Sequence, residues 1–273
     1  MRASAALIAY VRERYAATLF VPLAVFIGVA SLAMANSRPT LGLLVPTAVA
    51  SALAYVLVFQ FRLWDDLADR ESDRLRCPER VLARFESRSP FVAFLIGTIA
   101  VNLLLVAVLR GAGARWMALA GLDFAMLAWY RWGRRGVANV LLSYHGVLAK
   151  YPVLVFVVSP VDTNFHGARA ALVALFVYLC FCVYEVLDDS RLRAAAGARY
   201  ALGVEVTLLA VVAGLLWRQA LGLGAPAVAG LVALAAALAV CLFTLRVRRR
   251  ISPYAIFGFG IVELGTLTLG GQP

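Results

Sequence analysis

Long apolar runs, broken by short charged or glycine-containing segments, repeat along the whole chain. A helix needs about 20 apolar residues to cross a ~30 Å hydrocarbon core. About nine runs approach that length: 16–35, 40–61, 90–109, 115–130, 138–158, 168–187, 200–217, 224–245 and 253–270. The fourth is short, and the second continues into a charged segment. Backbone facing lipid must satisfy its own hydrogen bonds, so the runs are predicted to be helices rather than strands. Pro22, Pro46, Pro152, Pro226 and Pro253 stand near run ends or where a kink is tolerated. The pattern predicts an all-α polytopic membrane protein, with about nine transmembrane helices in one bundle and residues 1–273 as a single integral-membrane domain.

Composition agrees. The 273 residues are 63% hydrophobic and 15% charged, with a mean hydropathy of +0.86; soluble domains average roughly 45–50% apolar and about 25% charged. The net charge of +11 does not imply a nucleic-acid partner, because topology accounts for it. With the N-terminus in the cytoplasm, 20 of the 26 basic residues fall in inner segments and 5 in outer ones, with Lys150 inside a run. That split follows the positive-inside rule. Lys150 is the only lysine among those 26, a bias typical of GC-rich bacterial genomes, so a bacterial cytoplasmic membrane is the expected location. Cys77, Cys180, Cys182 and Cys241 show no metal-ligand spacing with the two histidines, and three of them lie in apolar runs, where a thiol behaves as a small hydrophobe.

At the N-terminus, Ala33-Met34-Ala35 resembles a cleavage site, but the apolar run before it exceeds the ~7–15 residues of a signal segment, so a retained first span is expected. Residues 3–15 are expected to form either a short interfacial helix with Leu7 and Val11 toward lipid, or an extension of that span. The longest polar stretch, 62–89, reads as a loop between spans, and the four-residue tail at 270–273 carries no function of its own.

The first chemical signal lies where the second run ends. Asp65, Asp69 and Asp73 recur every four residues, so on a continuing helix they project from one face. Like charges stacked this way repel one another. A positive partner is therefore expected, and hard oxygen ligands suit Mg2+ shared with substrate phosphate. The plainer reading pairs these acids with Arg62, Arg70, Arg74 and Arg76 in a solvated loop.

A second cluster, Glu185, Asp188 and Asp189, ends the sixth run on the same side. At a helix C-terminus the macrodipole disfavours carboxylates, so Arg191, Arg193 or a metal is expected to compensate. A third segment, Tyr130-Arg131-Trp132-Gly133-Arg134-Arg135, is basic, as an inner loop should be. Within the runs, Asp123 and Lys150 are costly unless paired or lining a cavity. An Asp123–Lys150 pair is one expectation. The other is that Lys150 or His145 contacts an acceptor, with His145 taking its proton. Asn102 and Glu263 are further cavity candidates.

Together these segments resemble the UbiA superfamily of intramembrane prenyltransferases, nine-helix proteins with N-D-x-x-D-x-x-x-D after helix 2 and D-x-x-x-D after helix 6. Asp65-Asp66-x-x-Asp69-Arg70-x-x-Asp73 matches the first motif with Asp65 for Asn, and Arg76-Cys77-Pro78-Glu79-Arg80 resembles its basic, proline-containing tail. Tyr130-x-x-x-Arg134 resembles the family's Tyr-x-x-x-Lys/Arg element. Glu185-x-x-x-Asp189 keeps the second spacing with Glu for Asp, and in the longer form Leu192 stands where the last acid belongs.

The resemblance implies Mg2+-dependent transfer of an isoprenyl group from a diphosphate donor to an aromatic or lipid-like acceptor. It implies metal ligands among Asp65, Asp66, Asp69, Asp73, Glu185, Asp188 and Asp189, and donor contacts from Arg62, Arg70, Tyr130 and Arg134. Tyr130, Arg134, Lys150 and His145 would be catalytic. Rings of Trp64, Tyr130 and Tyr184 would face the allylic cation, although belt aromatics are routine at membrane interfaces. A membrane terpene cyclase of the same superfamily is the first alternative. A transporter or non-catalytic membrane partner, with Asp123, Lys150 and Glu263 as a relay, is the second.

Overall fold

A computed structural model describes residues 3–35, 44–134, 137, 139–160, 167–221 and 252–269. The eighth predicted span (224–245), Arg135 and the 270–273 tail lie outside the described residues. Every described element is helical: α1 (Ala3–Arg14), α2 (Ala17–Met34), α3 (Leu44–Arg76), α4 (Val81–Arg84), α5 (Ser89–Arg110), α6 (Ala114–Ala128), α7 (Val140–Leu148), α8 (Lys150–Val158), α9 (Gly167–Asp188), α10 (Ser190–Ala194), α11 (Ala198–Leu221) and α12 (Ser252–Leu269). A π turn, Trp129–Gly133, continues α6.

Among the described residues, six helical segments are long and apolar enough to cross a membrane: α2, α3, α5, 141–158, α9 and 198–219. Their outward faces need lipid. Ile96, Leu104 and Val108 on α5 and Phe124 on α6 are all exposed, which no aqueous surface would favour. The chain therefore has the make-up of an integral membrane protein. The fourth predicted span is a 15-residue helix before its π turn. The fifth is broken at Ala149. Pro152 explains that break, since it lacks an N–H and its ring crowds the carbonyl four residues back, at Leu148 where α7 ends.

α2 packs along α3 and α12, and α9 packs against α2, α8, α11 and α12, so α2 and α9 form the centre of the bundle. Phe26, Phe176, Phe181 and Phe257 fill that centre and are fully buried. A Cβ on Gly28 would collide with Ser51, so glycine is what lets α2 and α3 approach. Gly111 ends α5 with φ +79°, the left-handed conformation that favours glycine.

At 33 residues, α3 is about 50 Å long, well beyond the ~30 Å hydrocarbon core. It thus carries the 62–76 segment as helix, and 62–89 is not one long loop. The rest of that stretch folds back: Arg70 donates to the carbonyls of Leu82 (3.1 Å), Phe85 (2.5 Å) and Glu86 (2.9 Å), and Arg74 to Ala83 O (3.3 Å). From the other side, Glu13 of α1 accepts from Val81 N at 2.8 Å.

α1 is a separate helix, turned away from α2 at Tyr15 and Ala16. Ala6 and Tyr10 point inward, and Leu7 and Val11 pack against the same small core as Leu63, Val81, Leu82 and Phe91. The expectation that Leu7 and Val11 face lipid is thereby corrected. The α3 extension and α4 offer them apolar surface, and Ile8 is the exposed residue instead.

Candidate functional site

The spacing of four along α3 puts Asp65, Asp69 and Asp73 on one face, and a cation from a different segment meets each one. Lys150, the first residue of α8, lies 2.6 Å from Asp65 Oδ2, and the Tyr130 hydroxyl donates to Asp65 Oδ1. Arg134 lies 2.5 Å from Asp69, and Arg80 2.6 Å from Asp73. Tyr130 and Arg134 are themselves four residues apart, matching the step from Asp65 to Asp69. The π turn delivers both, closed by Arg134 N donating to Trp129 O. Arg80 is held above its usual range: burial works against its charge, but the hydrogen bond and charge of Asp73 outweigh it.

Asp66 points the other way. It accepts from Tyr10 Oη at 2.9 Å and from Arg14 Nε and Nη2 at 3.0 and 2.8 Å, and it pairs with Arg62 at 3.2 Å. Burial, then the nearby Asp66 charge, pushes the Tyr10 phenol far up, which keeps it a donor. The Asp66 side chain is 7% exposed. Its neighbours already fill its acceptor positions, so the structure separates it from the other three acids. Arg70 likewise faces the folded-back loop, and burial, with Arg74 second, lowers its pKa. Among the predicted substrate-binding residues, Arg134 and Tyr130 meet the acidic face, Arg62 grips Asp66, and Arg70 pins the loop.

Glu185, near the end of α9, lies within electrostatic reach of Arg62, Lys150 and Asp65, so the second acidic segment meets the first. Asp188 is exposed beside it. Asp189 instead caps α10, accepting from Arg191 N at 2.7 Å, and Arg193 donates to Leu187 O at 2.7 Å, relieving the helix end. Trp64 and Tyr130 pack with ring centroids 6.0 Å apart beside Asp65, whereas Tyr184 packs on Phe257.

The Asp123–Lys150 pair does not form. Gln60 donates to Asp123 at 2.6 Å and accepts from Asn102 at 2.8 Å, giving a polar chain across α3, α5 and α6. Lys150, the residue after Ala149, pairs with Asp65 instead. His145 is not in this group either. It sits with Tyr144, Tyr178, Cys182 and Glu205. Sequence reasoning missed Glu205, although an ionisable residue within the 200–217 run carried the same signal as Asp123. It also missed Tyr10 and Arg14, which have no local signature.

The α3 face presents three carboxylates, none wholly buried and each paired with a basic side chain, with Glu185 near by; such hard oxygen donors are of the class that Mg2+ takes. Compared with known proteins, the chain matches no family model, no curated protein and no solved structure.

Proposed function

We propose that this protein is a Mg2+-dependent intramembrane prenyltransferase of the UbiA type, with nine spans and its acidic face toward the cytoplasm. The observation that carries the reading is the alternation of charge on the α3 face: Asp65, Asp69 and Asp73, each matched by Lys150, Arg134 or Arg80 from a different segment. A surface with carboxylates for a cation and basic groups for phosphate oxygens, at the end of an apolar bundle, suits a lipid diphosphate.

Asp65, Asp69 and Asp73, with Glu185, would hold Mg2+, which supplies neutralisation of the leaving diphosphate. Arg134 and Lys150 turn from their carboxylates to the diphosphate oxygens, where the charge develops. Tyr130 orients Asp65 and, with Trp64, presents ring faces beside the ionising carbon. Packed helices exclude water from the allylic cation. The acceptor is of aromatic or lipid-like class.

The test is diphosphate release by purified protein from geranyl, farnesyl and geranylgeranyl diphosphates with Mg2+ or EDTA, and mass spectrometry of the organic extract. Release that needs Mg2+ and an added acceptor, and is lost in Asp69→Asn, is the expected result. Release without acceptor, giving a hydrocarbon or alcohol, would replace the transferase with a cyclase. No release from any donor, with or without phenolic, quinone-precursor or lipid acceptors, would overturn the enzyme reading and favour transport.

A further inference from the structure

A second constellation stands apart from the acidic face. His145 of α7, Cys182 of α9 and Glu205 of α11 each bring one donor atom within 4.8 Å of the others. His145 Nε2 is 3.6 Å from Glu205 Oε1, and Nδ1 is 3.6 Å from Cys182 Sγ. All three lie between five and seven residues from the helix ends that share a side with the acidic face, so they sit at similar depth. Cys182 is fully buried and Glu205 is 4% exposed. Glu205 Oε2 is enclosed with no hydrogen-bond partner among the described residues, which is costly unless something compensates it.

We propose that His145, Cys182 and Glu205 bind a divalent transition-metal ion of the zinc class. The chemistry of the donors selects the ion: thiolate and imidazole favour Zn2+ or Co2+ over Mg2+ or Ca2+. Bonds of about 2.0–2.3 Å to a tetrahedral ion place ligand atoms roughly 3.3–3.7 Å apart. The Nε2–Oε1 separation already matches, and side-chain rotation has to bring Cys182 Sγ, now nearest Nδ1, round to the Nε2 edge of the ring. Thiolate and carboxylate together carry two negative charges, which a divalent ion cancels within the low-dielectric interior.

The surroundings fit as well. With Nε2 on the metal, Nδ1–H donates to the Tyr178 hydroxyl 2.7 Å away, and Tyr144 donates to Glu205. Such contacts fix the tautomer and aim the carboxylate. Three protein ligands leave a fourth tetrahedral position for water or an oxygen or sulfur ligand from outside. The site uses none of the α3 carboxylates and does not depend on prenyl transfer.

The experiment is titration of chelator-treated, detergent-purified full-length protein with Co2+, read by absorption. The expected result is one Co2+ per chain, tetrahedral visible bands and a thiolate-to-Co2+ charge-transfer band, all displaced by Zn2+. Cys182→Ser and His145→Gln should abolish the charge-transfer band with helicity unchanged, and Tyr144→Phe should weaken affinity by about 10–100-fold. Asp69→Asn should leave the spectrum intact. In wild-type protein, Zn2+ should also protect Cys182 from a thiol reagent, mapped by mass spectrometry, which removes any dependence on how the variants fold. Absence of the band in wild type, its persistence in Cys182→Ser, or unprotected Cys182 under saturating Zn2+ would each overturn the proposal.

Discussion

Asp66 and Asp69 stand three residues apart in one motif, yet substitution should destabilise the fold to very different extents. Asp66→Asn removes the charge that holds Arg14 and Arg62 together, and Tyr10 loses its charged acceptor. The side chain is 7% exposed and its partners Arg14 and Arg62 are 19% and 32% exposed, so water replaces only part of what is lost. Removing one partner of a buried charge pair costs about 3–5 kcal/mol, much of it from the charge left behind. Asp69 is 27% exposed and paired with an Arg134 that is 37% exposed, a geometry worth less than about 1 kcal/mol. Unfolding in mixed micelles, followed by loss of helical circular dichroism as denaturing detergent is titrated, measures both. Tyr10→Phe supplies a calibration: a buried hydrogen bond to a charged group contributes roughly 1.5–3 kcal/mol. The expected order of destabilisation is Asp66→Asn, then Tyr10→Phe, then Asp69→Asn. If Asp66→Asn and Asp69→Asn lie within ~1 kcal/mol of each other, the assignment of Asp66 to scaffolding is refuted, and it returns to the candidate metal ligands.

Arg70→Ala should release the fold-back of residues 77–88, since three carbonyl acceptors lose their donor. Limited trypsin digestion should then cut between Arg76 and Arg88 faster than in wild type, and equal rates would contradict the role. Gly28→Val should overpack the α2–α3 contact, costing about 1–3 kcal/mol in the same unfolding assay, because Ser51 is already against the position. No change there would mean that α2 and α3 are spaced more widely than described.

Much of the fold was legible because membrane helices announce themselves locally. α2, α5 and α9 match uninterrupted runs, and each needs only its own backbone for hydrogen bonding. The helical continuation through Asp65, Asp69 and Asp73 was signalled by their period of four, although the polarity of 62–89 reads as a loop and α3 corrects it. The break at Ala149 was written in Pro152, but the partner of Lys150 was not. Depth counted along the run paired Lys150 with Asp123, whereas packing sets it against Asp65. Leu7 and Val11 misled because an amphipathic stretch reads the same whether lipid or protein covers it.

Sequence by itself determined that this is a helical membrane protein, that its acids gather at helix ends, and which residues share the α3 face. All of these follow from solvent and helix period, which act on neighbours along the chain. Tertiary structure alone decided that Asp66 belongs to Tyr10, Arg14 and Arg62 while Asp65, Asp69 and Asp73 meet Lys150, Arg134 and Arg80. It also decided that His145, Cys182 and Glu205 meet. The partners of a charge are set by how helices pack, and packing joins residues far apart in the chain, such as Tyr10 with Asp66 or Lys150 with Asp65, that no local pattern links.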